Sequence, residues 1–145
     1  SYPVAQIIWP KHNKRLTVLD GASGRNLAFA PSHFLPAGEL GGADFGNSQG
    51  ALIAGHNDTH FAFLKNAKVG EQFSLQLKNG QVQHYSVTHV EVINQYNTDF
   101  LHQAGLYLLT CYPFDSLASG TDLRWLVSAE ISSPEVALGI STTSS

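Results

Sequence analysis

Apolar and polar residues alternate most regularly between residues 73 and 78, where Phe73, Leu75 and Leu77 are separated by Ser74, Gln76 and Lys78. A period of two marks a strand with one face buried. Asn79-Gly80 follows at once. Both residue types accept positive φ, so a tight hairpin turn is expected there. The return segment, residues 82–93, is rich in Val, Tyr and Thr and again has stretches of period two, as a second strand would. A short strand is expected near the start, where Leu16 and Val18 alternate with Thr17 and Leu19, after Ile7-Ile8-Trp9.

Residues 51–54, 106–110 and 123–131 are more continuously apolar and fit central strands. Short helices are expected near residues 61–65 and 99–104. Residues 30–49 are glycine-rich and contain Pro31 and Pro36, which reads as a long loop with at most one helical turn. Seven or eight short strands separated by turn signals indicate an all-β barrel or sandwich. At 145 residues the chain is long enough to bury one core without disulfides. Residues 1–131 are expected to form a single domain. Residues 132–145, dominated by Ser and Thr at their end, read as a C-terminal extension that frays.

Composition narrows the partners. Charged residues make up 13% of the chain, the net charge is -3, and no basic block occurs. Nucleic acid and anionic membrane surfaces both call for clustered Lys and Arg, so neither is expected as the main partner. No run of 18 apolar residues is present to span a bilayer. The first residue is not methionine, and a signal or anchor ahead of it would not be visible here.

The candidate chemistry begins with the one cysteine, Cys111, in Tyr107-Leu108-Leu109-Thr110-Cys111-Tyr112-Pro113-Phe114. One thiol excludes an internal disulfide and a multi-cysteine metal site. Such a residue is most often an inert, small hydrophobe. Two other residues change the balance. His56 ends the apolar run from Ala51 after Gly55, a glycine that would let another backbone come close, and Arg124 interrupts Leu123-Arg124-Trp125-Leu126-Val127. Cys111 should lie at a strand end, because Pro113 has no N–H for a sheet ladder. Arg124 cannot shed its proton. Its head either reaches solvent or pairs with Asp115 or Asp122, or it donates to a developing oxyanion and favours a thiolate. His60 stands four residues after His56, a zinc-like spacing only on a helix; this stretch reads as a strand end and loop, so no metal is expected. His12, His33, His84, His89 and His102 read as solvated or locally bonded.

These residues carry a family resemblance. Gly55-His56-Asn57-Asp58-Thr59-His60-Phe61, followed by Phe63-Leu64 and Val69-Gly70-Glu71, resembles the Gly-His-Arg-Asp-Thr-His-Phe block of sortases. Leu109-Thr110-Cys111-Tyr112-Pro113-Phe114 resembles their Thr-Leu-X-Thr-Cys signature, and Leu123-Arg124-Trp125-Leu126-Val127 their strand bearing a catalytic arginine. The order His, Cys, Arg is the family's own, and the likeness runs over residues 4–131. Its details are most similar to the sortases of Gram-negative bacteria and to classes D and E. Asn57 departs from the block's usual arginine, a change expected to touch the site's rim and not the three central residues. Leu108-Leu109 is a second, tolerable variation.

The resemblance implies a closed eight-stranded sortase-type barrel with short helices and long loops. It also implies a transpeptidase that cleaves a Leu-Pro-X-Thr-Gly-type sorting signal between Thr and Gly. Cys111 would be the nucleophile, Arg124 the oxyanion donor, and His56 the acid that protonates the leaving amine. Thr110 and the loop over residues 112–122, Tyr112 included, would line one side of the groove. Residues 93–105 would recognise the Leu-Pro part. Asp58 and His60 would shape the site's edge or simply order their loop. No cofactor is implied, and calcium dependence is not suggested by any dense acidic loop. The implied partners are a secreted protein with a C-terminal sorting signal and an amine acceptor, or water. The implied location is the inner membrane, with an anchored catalytic domain facing outward. Two other readings stay open: a cysteine peptidase using only water, and a non-catalytic binding barrel with Cys111 in its core.

Overall fold

In the computed structural model, residues 3–20, 33–36, 45–115 and 121–132 are described. Their strands are β1 (Pro3–Trp9), β2 (Lys14–Asp20), β3 (His33–Pro36), β4 (Gly50–Ala54), β5 (Gln72–Leu77), β6 (Val82–Asn94), β7 (Gly105–Cys111) and β8 (Leu123–Ile131). They close into a barrel in the order β1-β2-β3-β4-β7-β8-β6-β5. The expected closed, eight-stranded all-β fold is what the chain adopts.

Alternation decides which side chains enter the barrel. Ala5, Ile7 and Trp9 of β1 point inward, as do Phe73 and Leu75 of β5 and Tyr85 and Val87 of β6. Trp9 stacks on Phe73 at 4.4 Å between ring centroids, and Phe73 stacks on Tyr85 at 5.4 Å. The Asn79-Gly80 turn forms as expected: Gly80 has φ +89, and Leu77 N–H donates to Gln81 O at 2.7 Å. A second apolar group lies outside the barrel wall, formed by Leu52, Ile93, Tyr107, Leu109 and Leu126 under Phe100 and Leu101. β4 and most of β7 are thus buried on both faces. That is why they read as continuous apolar runs.

Two expectations need adjustment. Residues 30–49 are not all loop, since β3 lies within them. Its four residues are too few to show a period, and its neighbours define it: β2 runs parallel to it, and β4 pairs antiparallel from His33 opposite Ala54 to Pro36 opposite Ala51. The rest of that expected loop at residues 30–32 and 37–44, and the expected frayed end at residues 133–145, lie outside the described residues. The expected helices are single 3-10 turns, Ala62–Asn66 and Asp99–His102, and a third, Pro10–His12, joins β1 to β2.

His12, expected to be solvated or locally bonded, instead meets Glu71 across 59 residues, with Nε2 to Oε1 at 2.7 Å. The pair is largely buried, and His12 also stands edge-on to Trp9 at 5.3 Å. Glu71 Oε2 is buried with no hydrogen-bond partner among the described residues. Removing the imidazole would therefore strand a buried carboxylate. His12→Ala is expected to lower unfolding free energy by about 3 kcal/mol, measured by urea titration. A change within error would mean that water replaces the histidine at no cost.

Candidate active site

Strand register brings the candidate residues together. β7 and β8 pair antiparallel with Thr110 opposite Trp125 and Cys111 opposite Arg124. Successive side chains alternate between faces. Cys111 and Arg124 therefore continue the outer face of Leu109 and Leu126, while Thr110 and Trp125 belong to the inner one. On its other side β7 runs parallel to β4, and that ladder ends with Ala54 opposite Leu109. The alignment persists past the strand end. Gly55 N–H donates to Leu109 O at 3.1 Å, and the Thr110 hydroxyl donates to Gly55 O at 2.7 Å. His56 follows Gly55 directly and precedes Asn57, whose amide bonds Cys111 O, so its backbone lies beside the end of β7. The imidazole is exposed and the thiol half-buried, whereas Arg124 is only 4% exposed.

Arg124 is held rigidly. Its Nη1 donates to Thr121 O at 2.8 Å and to Leu123 O at 2.7 Å, and its Nη2 donates to Gln95 Oε1 at 3.2 Å. Gln95 is fixed in turn, because its Nε2 donates to Asp122 Oδ1 at 2.8 Å and its backbone N–H to Asp122 O at 2.7 Å. The guanidinium does not reach out to solvent. Asp122, one of its two expected carboxylate partners, is linked to it through the Gln95 amide. A planar donor bonded at both terminal nitrogens has little freedom to rotate. Gln95 had no signal in the sequence beyond lying between two apolar strands.

The loop carrying His56 is a compact turn closed by Phe61 N–H to His56 O at 3.0 Å and Ala62 N–H to Thr59 O at 3.2 Å. Gly55 is needed for a reason other than backbone approach: a Cβ there would lie 2.9 Å from the Phe61 ring. Asn57, expected to touch the site's rim, is half-buried against the end of β7. Its Nδ2 donates to Cys111 O at 3.1 Å and to Pro113 O at 3.2 Å. The sequence marked this position only as a departure from a family pattern.

Thr110 and Tyr112 also sit differently from expectation. Thr110 is 3% exposed with its hydroxyl engaged by Gly55 O, so it joins two segments and does not line a groove. The Tyr112 ring stacks on Trp125 with centroids 5.8 Å apart, on the face opposite Cys111 and Arg124. It backs the strand end from behind. Asp58 and His60 are exposed on the turn after His56. Among the described residues no group of three His, Cys, Asp or Glu side chains could hold a metal.

A cavity of about 490 Å³ opens on the outer face between β6, β8 and the 3-10 turn before β7, with Ile93, Phe100, Tyr107 and Leu126 among its walls. Ile93, at its edge, pairs with Arg124 in the sheet, but the guanidinium itself is not part of the lining. Tyr107 donates its hydroxyl to Gln103 O at 3.0 Å, tying the turn to β7. Burial, and then the Glu130 carboxylate, push the phenol pKa up, so it stays protonated.

A family model described as the sortase domain matches residues 7–132. No curated protein matches the chain. Among solved structures, sortase C-1 from Actinomyces oris is 26% identical with a TM-score of 0.69, covering 90% of this chain and 75% of that one. Sortase C from Clostridium perfringens SM101 is 22% identical with a TM-score of 0.65, covering 90% of this chain and 70% of that one. Sortase A from Listeria monocytogenes is 19% identical with a TM-score of 0.66, covering 92% of this chain and 89% of that one. The last two likenesses speak to the fold alone. A match running from inside β1 to the residue after β8, with Cys111, His56 and Arg124 all within it, makes this chain a member of the sortase family of cysteine transpeptidases.

Proposed function

We propose that this sortase cleaves a Leu-Pro-X-Thr-Gly-type signal between Thr and Gly and passes the acyl group to an amine. The observation that carries the reading is that Cys111 stands opposite Arg124 in the β7-β8 ladder, while the residues on either side of His56 are bonded to the segment bearing Cys111. The Cys111 thiolate attacks the threonine carbonyl, and the C–O π electrons move onto oxygen. The Arg124 guanidinium, preset by its carbonyl bonds, stabilises that oxyanion. As the intermediate collapses, the C–N bond breaks and the His56 imidazolium gives its proton to the departing glycine amine. The thioacyl enzyme then waits. An incoming amine, deprotonated by the now neutral His56, attacks the same carbonyl and releases the thiolate as a new amide forms.

The cavity between β6, β8 and the turn before β7 supports a site for the Leu-Pro part of the signal, because Ile93, Phe100, Tyr107 and Leu126 give it an apolar part, while Glu91, Asp99, Gln103 and Glu130 make the rest of its lining polar. Its substrate would be a secreted protein with a C-terminal sorting signal, met on the outer side of the cytoplasmic membrane by an anchored enzyme. No helix among the described residues is long and apolar enough to cross a membrane.

The test is a fluorogenic Leu-Pro-X-Thr-Gly peptide incubated with and without a glycine-based amine, with products identified by mass spectrometry. A threonine-to-amine ligation product is expected, growing with amine concentration. Release of only the free threonine acid at every amine concentration would instead make the protein a peptidase. No cleavage at all would remove this signal class as the substrate.

A further inference from the structure

We propose that Asn57 is a positioning residue whose side-chain amide holds the His56 loop in register with the Cys111 strand end. The proposal rests on the catalytic roles given above to His56 and Cys111. Backbone pairing between β4 and β7 stops at Ala54 and Leu109, apart from one further bond from Gly55 N–H to Leu109 O. Beyond that point side chains take over. Thr110 Oγ1 reaches back to Gly55 O, and Asn57 Nδ2 reaches across to the carbonyls of Cys111 and Pro113. An amide NH2 has two hydrogens, and here they serve two carbonyls that flank the residue after the thiol. His56 therefore lies between two anchors, Gly55 and Asn57, both fastened to the segment that bears Cys111.

The residue type fits this task. Aspartate has the same shape but only acceptors when ionised, and would face two carbonyl oxygens with repulsion. Leucine has the same branching and no donor. Either would remove the bonds that tie the residue after His56 directly to the segment bearing Cys111. The loop's own closing bonds, from Phe61 to His56 and from Ala62 to Thr59, stay within the loop and do not tie it to β7. A shift of about 1 Å in an acid or base is enough to cost ~100-fold in rate.

A positioning role for the proton donor has a signature that a loss of fold does not share. Glycine amine is a poor leaving group that needs the His56 proton, whereas a p-nitrophenyl ester of the same acyl chain leaves without one. For Asn57→Leu, kcat on the amide peptide is expected to fall about 30-fold, with KM within about twofold and the rate of the p-nitrophenolate burst on the ester, which reads acylation alone, within about threefold. Asn57→Gln, which keeps the amide, is expected to recover part of the loss. Equal losses on amide and ester, or no loss on either with the thermal midpoint unchanged, would overturn the proposal.

A second arm needs no sorting peptide. Iodoacetamide alkylation of Cys111 is followed against pH in the wild type, Asn57→Leu and His56→Ala. The Asn57→Leu profile is expected to move from the wild-type curve toward that of His56→Ala. If it overlays the wild type while His56→Ala does not, Asn57 does not position His56. Should the wild type fail to cleave the peptide, the substrate assignment falls, and this arm still decides the role of Asn57.

Discussion

Cys111→Ala is expected to abolish both peptide cleavage and amine transfer while leaving the barrel intact. The side chain is half-buried at the last position of β7, and the substitution removes one sulfur without altering the strand. The Cys111–Arg124 register is held by backbone pairing, and Asn57 bonds the Cys111 carbonyl, not the thiol. Stability should therefore change by less than about 1 kcal/mol. The catalytic loss is of another order. Removing the nucleophile of a well-studied triad costs on the order of 10⁶ in kcat, as far as removing the whole triad. Cys111→Ser should do nearly as much damage, because a hydroxyl lacks the low pKa that makes a thiol a useful nucleophile near neutrality. Loss of turnover, with thermal unfolding unchanged, is the expected pair of results in peptide assay and circular dichroism. Turnover retained in the alanine variant would exclude thiolate catalysis and return Cys111 to a packing role.

The strands were legible because each carries its own pattern. β5 and β6 show their alternation and the Asn79-Gly80 turn without reference to anything distant. β4, β7 and β8 announce burial by unbroken apolar runs. β3 was not legible, since four residues between a glycine-rich stretch and a proline have no period of their own, and their pairing depends on β2 and β4. The parallel neighbourhood of β4 and β7 was also out of reach of the pattern. It joins segments more than 50 residues apart; the strand pattern left barrel and sandwich both open, and the family resemblance implied the closed barrel that contains it.

The site divides along the same line. Cys111, His56 and Arg124 stood out because each is chemically odd in an apolar run, and that oddity is local. What a side chain touches is not local. The family resemblance implied Thr110 as a groove residue, yet strand alternation turns its hydroxyl inward to Gly55 O. Tyr112, the residue after the thiol, falls on the Trp125 side for the same reason. Asn57 and Gln95 act through partners 54 to 56 and 29 residues away, so their roles appear only once the barrel has closed. The His12–Glu71 pair was missed in the same way. Residue chemistry selected the candidates, and register determined which of them meet.

Arg124→Ala is expected to lower kcat by about 10²–10³ with a much smaller change in KM. The reason lies in how the guanidinium is held before any substrate arrives. Bonds to Thr121 O, Leu123 O and Gln95 Oε1 fix its plane, so in the proposed reaction no reorganisation is needed as negative charge develops on the substrate carbonyl oxygen. A donor preset in a largely buried setting is worth more to a forming oxyanion than a flexible surface cation. The ground-state carbonyl carries little charge and gains less, which is why the effect should appear in kcat. Arg124→Lys separates charge from geometry. The ammonium keeps the charge but cannot span the same three acceptors while facing the substrate, so a loss of at least about tenfold is expected. Both variants leave carbonyls without their donor and should cost about 1–3 kcal/mol in stability. Kinetics must therefore be read well below the lower of the two unfolding midpoints. A variant with wild-type kcat and a raised KM would make Arg124 a substrate-holding residue. The oxyanion would then have to be stabilised by another donor, and backbone N–H groups at the end of β7 would be the first place to look.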